Sequence, residues 1–231
     1  MKKRILSAVI AIFVIVCLSV SALAEEETPT EYNNMVSLLM EGETGTVLQH
    51  NGGYEKVAQG TLNKLMTVLL TAEEIESGGL SINDVVTVSS NANAQTGAVV
   101  WLMPGEEITI EELLKSVIIG NANDASVALA EIVGGNEEEF TGMMNARAFE
   151  LGMRNTVFKN PAGYDCAGQY STPYDMALLC RELLKHEFLY KIMNTWIDRV
   201  RGGQTEIVNE NRLVRTYEGV IGLKASHTEA S

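Results

Sequence analysis

Apolar residues recur three and four positions apart along the segment from Leu62 to Ser77, which contains no glycine or proline. The stripe consists of Leu62, Leu65, Met66, Leu69 and Leu70. This spacing is typical of a helix with one buried face. Thr61 stands at its start, and Lys64 comes three residues later, so both are expected on the same side of the first turn. The pattern predicts a helix that begins beside Thr61 and stops at Gly78-Gly79.

Four more helices are predicted between residues 109 and 184, each from an apolar stripe that follows or precedes a helix signal. A capping-box pair at Thr109 and Glu112 starts the first helix, and the second runs from Ala125 to Val133 and is closed by Gly134-Gly135. Asn136 with Glu139 starts the third helix, and Thr172-Pro173 starts the fourth. The polar stretch from Asn121 to Asp124 separates the first two of these helices. We therefore expect a helical cluster in the middle of the chain.

Short apolar runs at both ends of the chain predict strands. Met35–Met40 and Thr46–Gln49 are expected to form a hairpin, and Asp84–Ser89 is a further candidate. Thr205–Val208 and Val220–Lys224 are the last candidates. The order of strands, helices and strands predicts an α+β domain, in which one antiparallel sheet joins the N- and C-terminal strands around the helical cluster.

The first 24 residues are typical of a secretory signal peptide. A basic start is followed by an apolar run from Ile5 to Val20 and by the small-residue site Ala22-Leu23-Ala24. An uncleaved membrane anchor is the alternative, because the run is close to the length of a spanning helix. The sequence thus predicts an exported protein with a signal peptide at 1–24, a flexible acidic lead-in at 25–34 and a domain at 35–231.

Charge and composition exclude several kinds of partner. The chain has a formal net charge of −13, and removal of the three basic residues of the signal peptide would take it to −16. Such a charge argues against nucleic acid and against an anionic membrane surface. The three histidines are far apart in the sequence, so we predict no metal site. Cys166 and Cys180 are the cysteines that remain after cleavage, and the sequence leaves open whether they pair.

The start of the Leu62–Ser77 helix carries the first candidate for chemistry. A hydroxyl at a helix N-terminus beside a lysine can act as a nucleophile, because the lysine can take its proton and the helix dipole favours negative charge. The alternative is that Thr61 caps the helix and Lys64 is a solvated lysine. The choice between the two depends on the rest of the chain.

Three stretches, taken in order, resemble the motifs of penicillin-recognising serine enzymes. Thr61-Leu62-Asn63-Lys64 stands where these enzymes have S-x-x-K, Asn121-Ala122-Asn123 where they have S-x-N, and Lys224-Ala225-Ser226 where they have K-T-G. Flanking segments extend the match. They are Gly60–Thr67, Leu102–Glu107, Asn123–Glu131, Leu151–Thr156 and Gly219–Lys224. Together these segments resemble the D-alanyl-D-alanine carboxypeptidases, the low-molecular-weight penicillin-binding proteins, over nearly all of Met35 to Thr228.

The resemblance implies a β-lactamase and penicillin-binding-protein-like fold and a specific reaction. The terminal D-alanine of a peptidoglycan stem peptide would be released through an acyl-enzyme, without a cofactor, and β-lactams would bind the same site. The resemblance gives each residue a role: Thr61 as the nucleophile, Lys64 as the base, Asn121 in the proton relay, Asn123 on the substrate amide, and Lys224 with Ala225 on its carboxylate. The backbone N–H groups of Thr61 and His227 would form the oxyanion hole.

The chain departs from the family at the same positions. The family serine is Thr61, whose methyl group restricts χ1. The relay serine is Asn121, which has no hydroxyl to shuttle a proton. The threonine and glycine after the lysine are Ala225 and Ser226. Whether the site is active therefore stays open, and the protein is a candidate pseudoenzyme.

Two functions from different classes follow, and a third function is disfavoured. The chain is either an exported carboxypeptidase of cell-wall maturation that works slowly, or an impaired relative that binds stem peptide, penicillin or a cell-wall partner without turnover. A class A β-lactamase is disfavoured, because Asn121-Ala122-Asn123 lacks the aspartate of S-D-N. The sequence ends at Ser231, seven residues after Lys224, so it is expected to lack the family's later strands. It is then a fragment or a degenerate copy, with membrane association only through a C-terminal part not in this sequence.

Overall fold

The helix that the sequence pattern predicts after Thr61 is the element on which four later helices pack. The computed structural model describes residues 35–225, and in it helix α1 spans Asn63–Ser77. Its residues from Asn63 to Ala72 are all buried, and it packs against the helices at 110–118, 123–134, 137–150 and 173–183. The helix ends at Gly78, which has a φ of 85°, a conformation that glycine adopts without steric cost. The long apolar stripe thus becomes the centre of the core.

The start of α1 corrects one expectation. A short 3₁₀ turn, Gly60–Leu62, precedes the helix, and Thr61 lies inside that turn. The N-cap residue of α1 is Leu62, and it makes no side-chain capping hydrogen bond. The alternative in which Thr61 serves as the helix cap is therefore wrong, because the 3₁₀ turn moves the helix start two residues beyond it.

The helix signals read from the sequence are confirmed by capping hydrogen bonds. Thr109 and Glu112 form both halves of a capping box, and Asn136 accepts from the Glu139 N–H. Thr172 accepts from the Asp175 N–H and is followed by Pro173 in the first turn. The eight α-helices among residues 35–225 are α1, α2 (Ser90–Asn93), α3 (Ile110–Ile118), α4 (Asn123–Gly134), α5 (Glu137–Glu150), α6 (Pro173–Leu183), α7 (Tyr190–Met193) and α8 (Leu213–Thr216).

Helix α2 was not expected, because residues Asn91 to Ala98 read as a polar surface loop. Ser89 caps this single turn by accepting from the Ala92 N–H at 2.9 Å. The side chain of Ala92 is fully buried. One small apolar residue is too little to give a helical period in the sequence.

The strands pair into separate two-stranded antiparallel sheets. Within the described residues these are β1 (Ser37–Met40) with β2 (Val47–Asn51), β3 (Val85–Thr87) with β4 (Glu107–Thr109), and β5 (Ile197–Val200) with β6 (Thr205–Val208). The predicted N-terminal hairpin is confirmed. Strand β5 was missed, whereas β6 agrees with the candidate strand Thr205–Val208. The mixture of helices and short antiparallel sheets confirms the α+β class.

The predicted pairing of Val220–Lys224 with the N-terminal hairpin is wrong. Residues 220–225 form no strand, and β1 and β2 pair only with each other among the described residues. Two glycines explain the difference, one just before the stretch and one inside it. Gly219 has a φ of 85°, which turns the chain away from an extended path, and Gly222 contributes no side chain to pack on a sheet.

The predictions for the two ends of the sequence lie outside the described residues. They are the signal peptide at 1–24, the lead-in at 25–34, and residues Ser226 and His227 of the third motif. Cys166 and Cys180, whose pairing the sequence left open, are both free thiols in the described part of the chain. Cys166 is exposed and Cys180 is partly buried. Among residues 35–225, no helix is both long and apolar enough to cross a membrane.

Candidate functional site

Thr61 is held in place by the loop that packs against its backbone. A Cβ atom added to Gly163 would lie 2.3 Å from the Gly60 carbonyl oxygen and 2.6 Å from the Thr61 Cα, so only glycine fits there. The φ of Gly163 is 84°, which also favours glycine. The loop from Asn160 to Tyr164 thus lies directly on the 3₁₀ turn that carries Thr61.

Lys64 is completely buried behind that turn. Its amine donates to Asn123 Oδ1 at 2.7 Å and to the carbonyl oxygen of Ala162. Burial, with the nearby charge of Lys224, holds the pKa of Lys64 well below its ordinary value. A larger fraction of this amine is therefore uncharged near neutral pH than in a solvated lysine, and an uncharged amine can accept a proton.

The loop at residues 160–164 is fixed by buried side chains. Thr67 and Ser126 both donate to the Pro161 carbonyl oxygen, at 3.0 and 2.8 Å. Asn160 Oδ1 accepts from the N–H groups of Gly163 and Tyr164, at 2.6 and 2.9 Å. No sequence motif indicated this stretch as part of the site, because the side chains that bind the Pro161 carbonyl, Thr67 and Ser126, are distant in the chain. The loop supplies the carbonyl that binds Lys64 and one wall of the site.

Asn121 stands in the turn between α3 and α4 in a left-handed conformation, with a φ of 54°. Asparagine adopts this conformation more readily than most residues. Its side-chain nitrogen donates to Glu210 Oε2 at 3.1 Å, whereas its side-chain oxygen is buried and has no hydrogen-bond partner among residues 35–225. The relay position of the second motif is thus occupied by an amide that is bound to a carboxylate.

Asn123 begins α4 and connects three parts of the site. Its oxygen accepts from Lys64, and its side-chain nitrogen donates to the Thr96 carbonyl at 2.6 Å. Its backbone N–H donates to the carbonyl of Ala98 at 2.7 Å. The side chain is therefore fixed. Its amide oxygen faces the donor Lys64 and its amide nitrogen faces the carbonyl of Thr96, which sets the orientation of the amide.

The next residue, Asp124, was not singled out from the sequence, although it is a buried carboxylate. It accepts from the Val100 N–H at 3.1 and 3.2 Å and from the Leu102 N–H at 3.1 Å. Trp101, between them, has a φ of 59° and an exposed side chain. Asp124 therefore holds a tight loop beside the site. Its sequence signal was an acidic residue in the first turn of a helix, which the dipole favours.

Lys224 lies in the segment after α8 and is half-buried, as is Ala225. Burial lowers the pKa of Lys224 to about 8, against the opposing attraction of Glu210. Its charge acts on Lys64, which places the third motif near the first. Ser226 and His227 lie outside the described residues, so the oxyanion-hole role of the His227 backbone stays a prediction.

A cavity of about 360 Å³ opens where these parts meet. Its walls include Thr61, Asn121, Asn123, Ala162, Tyr164 and Glu210. Lys64 lies behind the wall and is connected to it by its bond to Asn123. The lining residues thus bring two hydroxyls, from Thr61 and Tyr164, two amides, and two carboxyl groups, from Asp165 and Glu210, with two lysines of lowered pKa nearby. Such a set suits acyl transfer or the binding of a polar peptide end. Tyr164, Asp165 and Glu210 are lining residues that sequence reasoning missed.

Known proteins resemble this chain along its length. A family model described as D-alanyl-D-alanine carboxypeptidase matches residues 23–231. D-alanyl-D-alanine carboxypeptidase DacF from Bacillus subtilis (strain 168) is 39% identical over 233 residues, covering 98% of this chain and 60% of that protein. D-alanyl-D-alanine carboxypeptidase DacC from Escherichia coli (strain K12) is 37% identical over 153 residues, covering 64% of this chain and 38% of that protein. The chain thus spans 60% or less of these two relatives.

Solved structures show the same fold. D-alanyl-D-alanine carboxypeptidase DacD from Francisella tularensis superposes with a TM-score of 0.79 at 26% identity, over 84% of this chain and 60% of that one. Penicillin binding protein 5 from Haemophilus influenzae does so with a TM-score of 0.79 at 28% identity, over 84% and 57%. These matches confirm the predicted penicillin-binding-protein-like fold and the resemblance on which it was based.

Proposed function

The chain belongs to the D-alanyl-D-alanine carboxypeptidase family, and we propose that its cavity binds the D-Ala-D-Ala end of a peptidoglycan stem peptide and cleaves it slowly. The observation that carries the proposal is the bond between the buried Lys64 amine and Asn123, on the wall of a cavity that also contains Thr61. A lysine that is merely structural and solvated would not be buried there with a lowered pKa.

The first chemical step uses Thr61 and Lys64. The Thr61 hydroxyl attacks the carbonyl carbon between the two D-alanines, and Lys64 takes the hydroxyl proton. The backbone N–H of Thr61, at the positive end of α1, stabilises the oxygen that becomes negatively charged. The His227 N–H is proposed as the second donor. The bond to the terminal D-alanine then breaks, and water hydrolyses the Thr61 ester.

The slow step in this proposal is proton transfer to the departing D-alanine. The amine leaves readily only when it is protonated, and a hydroxyl at position 121 would pass the proton on. Asn121 has no such hydroxyl, and its amide nitrogen is bound to Glu210. The Thr61 methyl group adds crowding around the nucleophile. We therefore expect acylation to be orders of magnitude slower than in a site with both serines.

Binding without turnover is the second candidate function. The amide at Asn121 favours it, because Asn123, Lys64 and Lys224 keep groups that hold a peptide end even when acyl transfer fails. In this candidate the protein recognises stem peptide, penicillin or a cell-wall partner. For both candidates we propose export to the outer face of the cytoplasmic membrane, where peptidoglycan is exposed.

One experiment separates the two candidates. The folded chain, the Thr61→Ala variant and the Lys64→Ala variant are incubated with a labelled penicillin, and intact masses are followed over hours. D-alanine release from a stem-peptide analogue is measured in parallel. A slow adduct on the parent chain that both variants lose, together with D-alanine release, is the expected result. Reversible binding with neither adduct nor release supports the second candidate, and no binding at all contradicts both.

A further inference from the structure

A second cavity, which we call the side cavity, adjoins the cavity that contains Thr61. It has a volume of about 300 Å³. Its walls include Ala58, Gly60, Asp165, Cys166 and Ala167. Gly60 directly precedes Thr61 in the chain, and Asp165 lines both cavities. A ligand that reaches Thr61 in the first cavity can therefore extend past Asp165 into the side cavity, which the proposed chemistry does not use.

The two glutamines in the lining of the side cavity hold its walls. Gln169 accepts from the Asn63 side chain at 2.8 Å and donates to the Tyr164 carbonyl at 3.0 Å. Gln59 is buried, and its side-chain nitrogen donates to the Val157 carbonyl at 3.2 Å. These amides connect the start of the 3₁₀ turn to the loop after residue 160. They are committed to the fold, so other groups decide which ligand the side cavity takes.

The rest of the lining combines small apolar groups with one charge. Ala58, Gly60 and Ala167 present no polar side-chain atoms. Among the described residues that line the side cavity, Asp165 is the one that carries a charge, and it is exposed at the border of the two cavities. A side chain with an aliphatic stem and a cationic end suits such a lining, because its methylenes pack on apolar walls while the cation meets the carboxylate.

The neighbouring charges limit how strong this attraction is. Lys56 lies over the Tyr170 ring, with its amine 4.2 Å from the ring centroid, and the Lys159 side chain approaches Gly168. Neither lysine lines the side cavity. Both oppose the attraction of Asp165 for a cation, but they act from outside the cavity, where water and salt screen them. The preference for a cationic side chain is therefore expected to be modest.

We propose that the side cavity is a subsite for the residue before D-Ala-D-Ala in the stem peptide, and that it takes an aliphatic side chain with a free ammonium group, which pairs with Asp165. This inference rests on the proposed function, because it names the class of stem peptide that the same site takes. Consecutive Cα atoms are about 3.8 Å apart, so the Cα of that residue lies within roughly 5 Å of the carbonyl carbon that Thr61 attacks. The terminal carboxylate still faces Lys224, at the other end of the ligand.

The test uses two peptides that differ in one charge. Both are acetyl-L-lysyl-D-alanyl-D-alanine, one with a free side-chain amine and one with that amine acetylated as well. Their dissociation constants are measured by calorimetry at neutral pH and low salt, and mass spectrometry confirms that the peptides stay intact. The forms compared are the full chain, Asp165→Asn and Asp84→Asn. Asp84 is exposed and lines neither cavity, so its variant removes the same charge elsewhere.

We expect the parent chain and Asp84→Asn to bind the free-amine peptide about threefold to fivefold more tightly than the acetylated one, and Asp165→Asn to bind the two equally. Equal affinities in the parent, or an unchanged preference in Asp165→Asn, overturn the inference and leave the proposed function intact. An equal loss in Asp84→Asn also overturns it, because net charge alone then accounts for the effect. Failure of both peptides to bind any form overturns the proposed function and the inference together.

A second measurement, on the parent chain, tests which cavity takes the side chain. Cys166 is an exposed thiol in the side cavity, whereas burial raises the pKa of Cys180 to about 12 and makes it an unreactive reference. The free-amine peptide at ten times its dissociation constant should slow alkylation of Cys166 by iodoacetamide about fivefold to tenfold, since roughly nine tenths of the sites are then occupied. Acetyl-D-alanyl-D-alanine, which lacks the lysine, should not slow it at the same occupancy. An unchanged rate with the first peptide, or equal protection by the second, overturns the assignment to the side cavity.

Discussion

Two lysines of lowered pKa, Lys64 and Lys224, both interact with the Glu210 carboxylate at the candidate site, and this arrangement influences how each side chain behaves. Lys64 is the more deeply buried, and the charge of Lys224 further lowers its pKa. Burial brings the pKa of Lys224 to about 8, with Glu210 opposing the shift. Lys224 thus carries the charge that attracts anions near neutral pH, while Lys64 is the group prepared to accept a proton.

The charge of Lys224 predicts how binding depends on pH. Below a pKa of about 8 the amine is protonated and attracts a ligand carboxylate, and above it the charged fraction falls roughly tenfold per pH unit. Affinity for diacetyl-L-lysyl-D-alanyl-D-alanine, which ends in a carboxylate, should therefore fall between pH 7 and pH 9. Lys224→Arg keeps its charge throughout this range and should abolish the fall. The measurement is a calorimetric titration at each pH, with the same peptide ending in a carboxamide as the control. An equal fall in the Arg variant would assign the effect to another group.

At the scale of elements, the site depends on loops that distant side chains hold against helices. Asp124 at the start of α4 binds the N–H groups around Trp101. The same loop is held from the other side by the β5–β6 turn, where Arg201 pairs with Glu106 at 2.7 Å and donates to the Val100 carbonyl at 3.2 Å. A helix, a loop and a hairpin therefore form one support for the cavity wall.

Replacement of Asp124 by asparagine should loosen this support. The amide has one acceptor oxygen instead of two and would turn an N–H₂ group toward backbone donors, which leaves a buried N–H unsatisfied. We expect a loss of about 1–3 kcal/mol in the free energy of unfolding, measured by urea denaturation, and weaker peptide binding. Asp84→Asn is the control, because Asp84 is exposed and binds only a neighbouring turn N–H. It should change stability by less than about 0.5 kcal/mol. Equal effects of the two changes would refute the supporting role of Asp124.

The elements differ in how far the sequence predicts them, for physical reasons. Helices with a capping residue and an apolar stripe were predicted close to their observed bounds, since their signals are local, as at Thr109 and Thr172. Strand β5 and helix α2 were missed, because their short segments depend on partners elsewhere in the chain. The segment Val220–Lys224 was mistaken for a strand, because the prediction gave its apolar residues more weight than Gly222 inside it and Gly219 just before it.

At the scale of the whole molecule, the candidate site lies where α1, the α3–α4 turn and the 160–164 loop come together. The sequence predicted Thr61, Lys64, Asn121 and Asn123 from ordered motifs, and the first, third and fourth of them line one cavity. It did not predict Glu210 or the carbonyl of Ala162, which meet Asn121 and Lys64 across 89 and 98 residues of chain. Motif spacing predicts the site residues that stand at or near helix starts, whereas the loops that complete the site are positioned only by the folded core.

The last prediction concerns the altered motif residues Thr61, Asn121, Ala225 and Ser226, which are expected to act as a unit. The loss of one proton-transfer or oxyanion group typically slows acyl transfer by about a hundredfold or more, and such losses do not simply add. Thr61→Ser alone should therefore restore little acylation, because Asn121 still lacks a hydroxyl. The combination of Thr61→Ser, Asn121→Ser, Ala225→Thr and Ser226→Gly should restore measurable covalent penicillin binding.

Adduct formation is followed by intact mass in the parent, single and fourfold variants, each shown by circular dichroism to be folded. Adding Lys64→Ala to the fourfold variant should abolish the adduct, because the lysine that takes the hydroxyl proton is then missing while the new hydroxyls remain. Rapid and complete acylation of the parent at Thr61 would mean that the altered residues do not limit the reaction. A folded fourfold variant that forms no adduct would mean that the reactive site lies elsewhere, since the hydroxyls of all three motifs would then be in place beside the buried lysine.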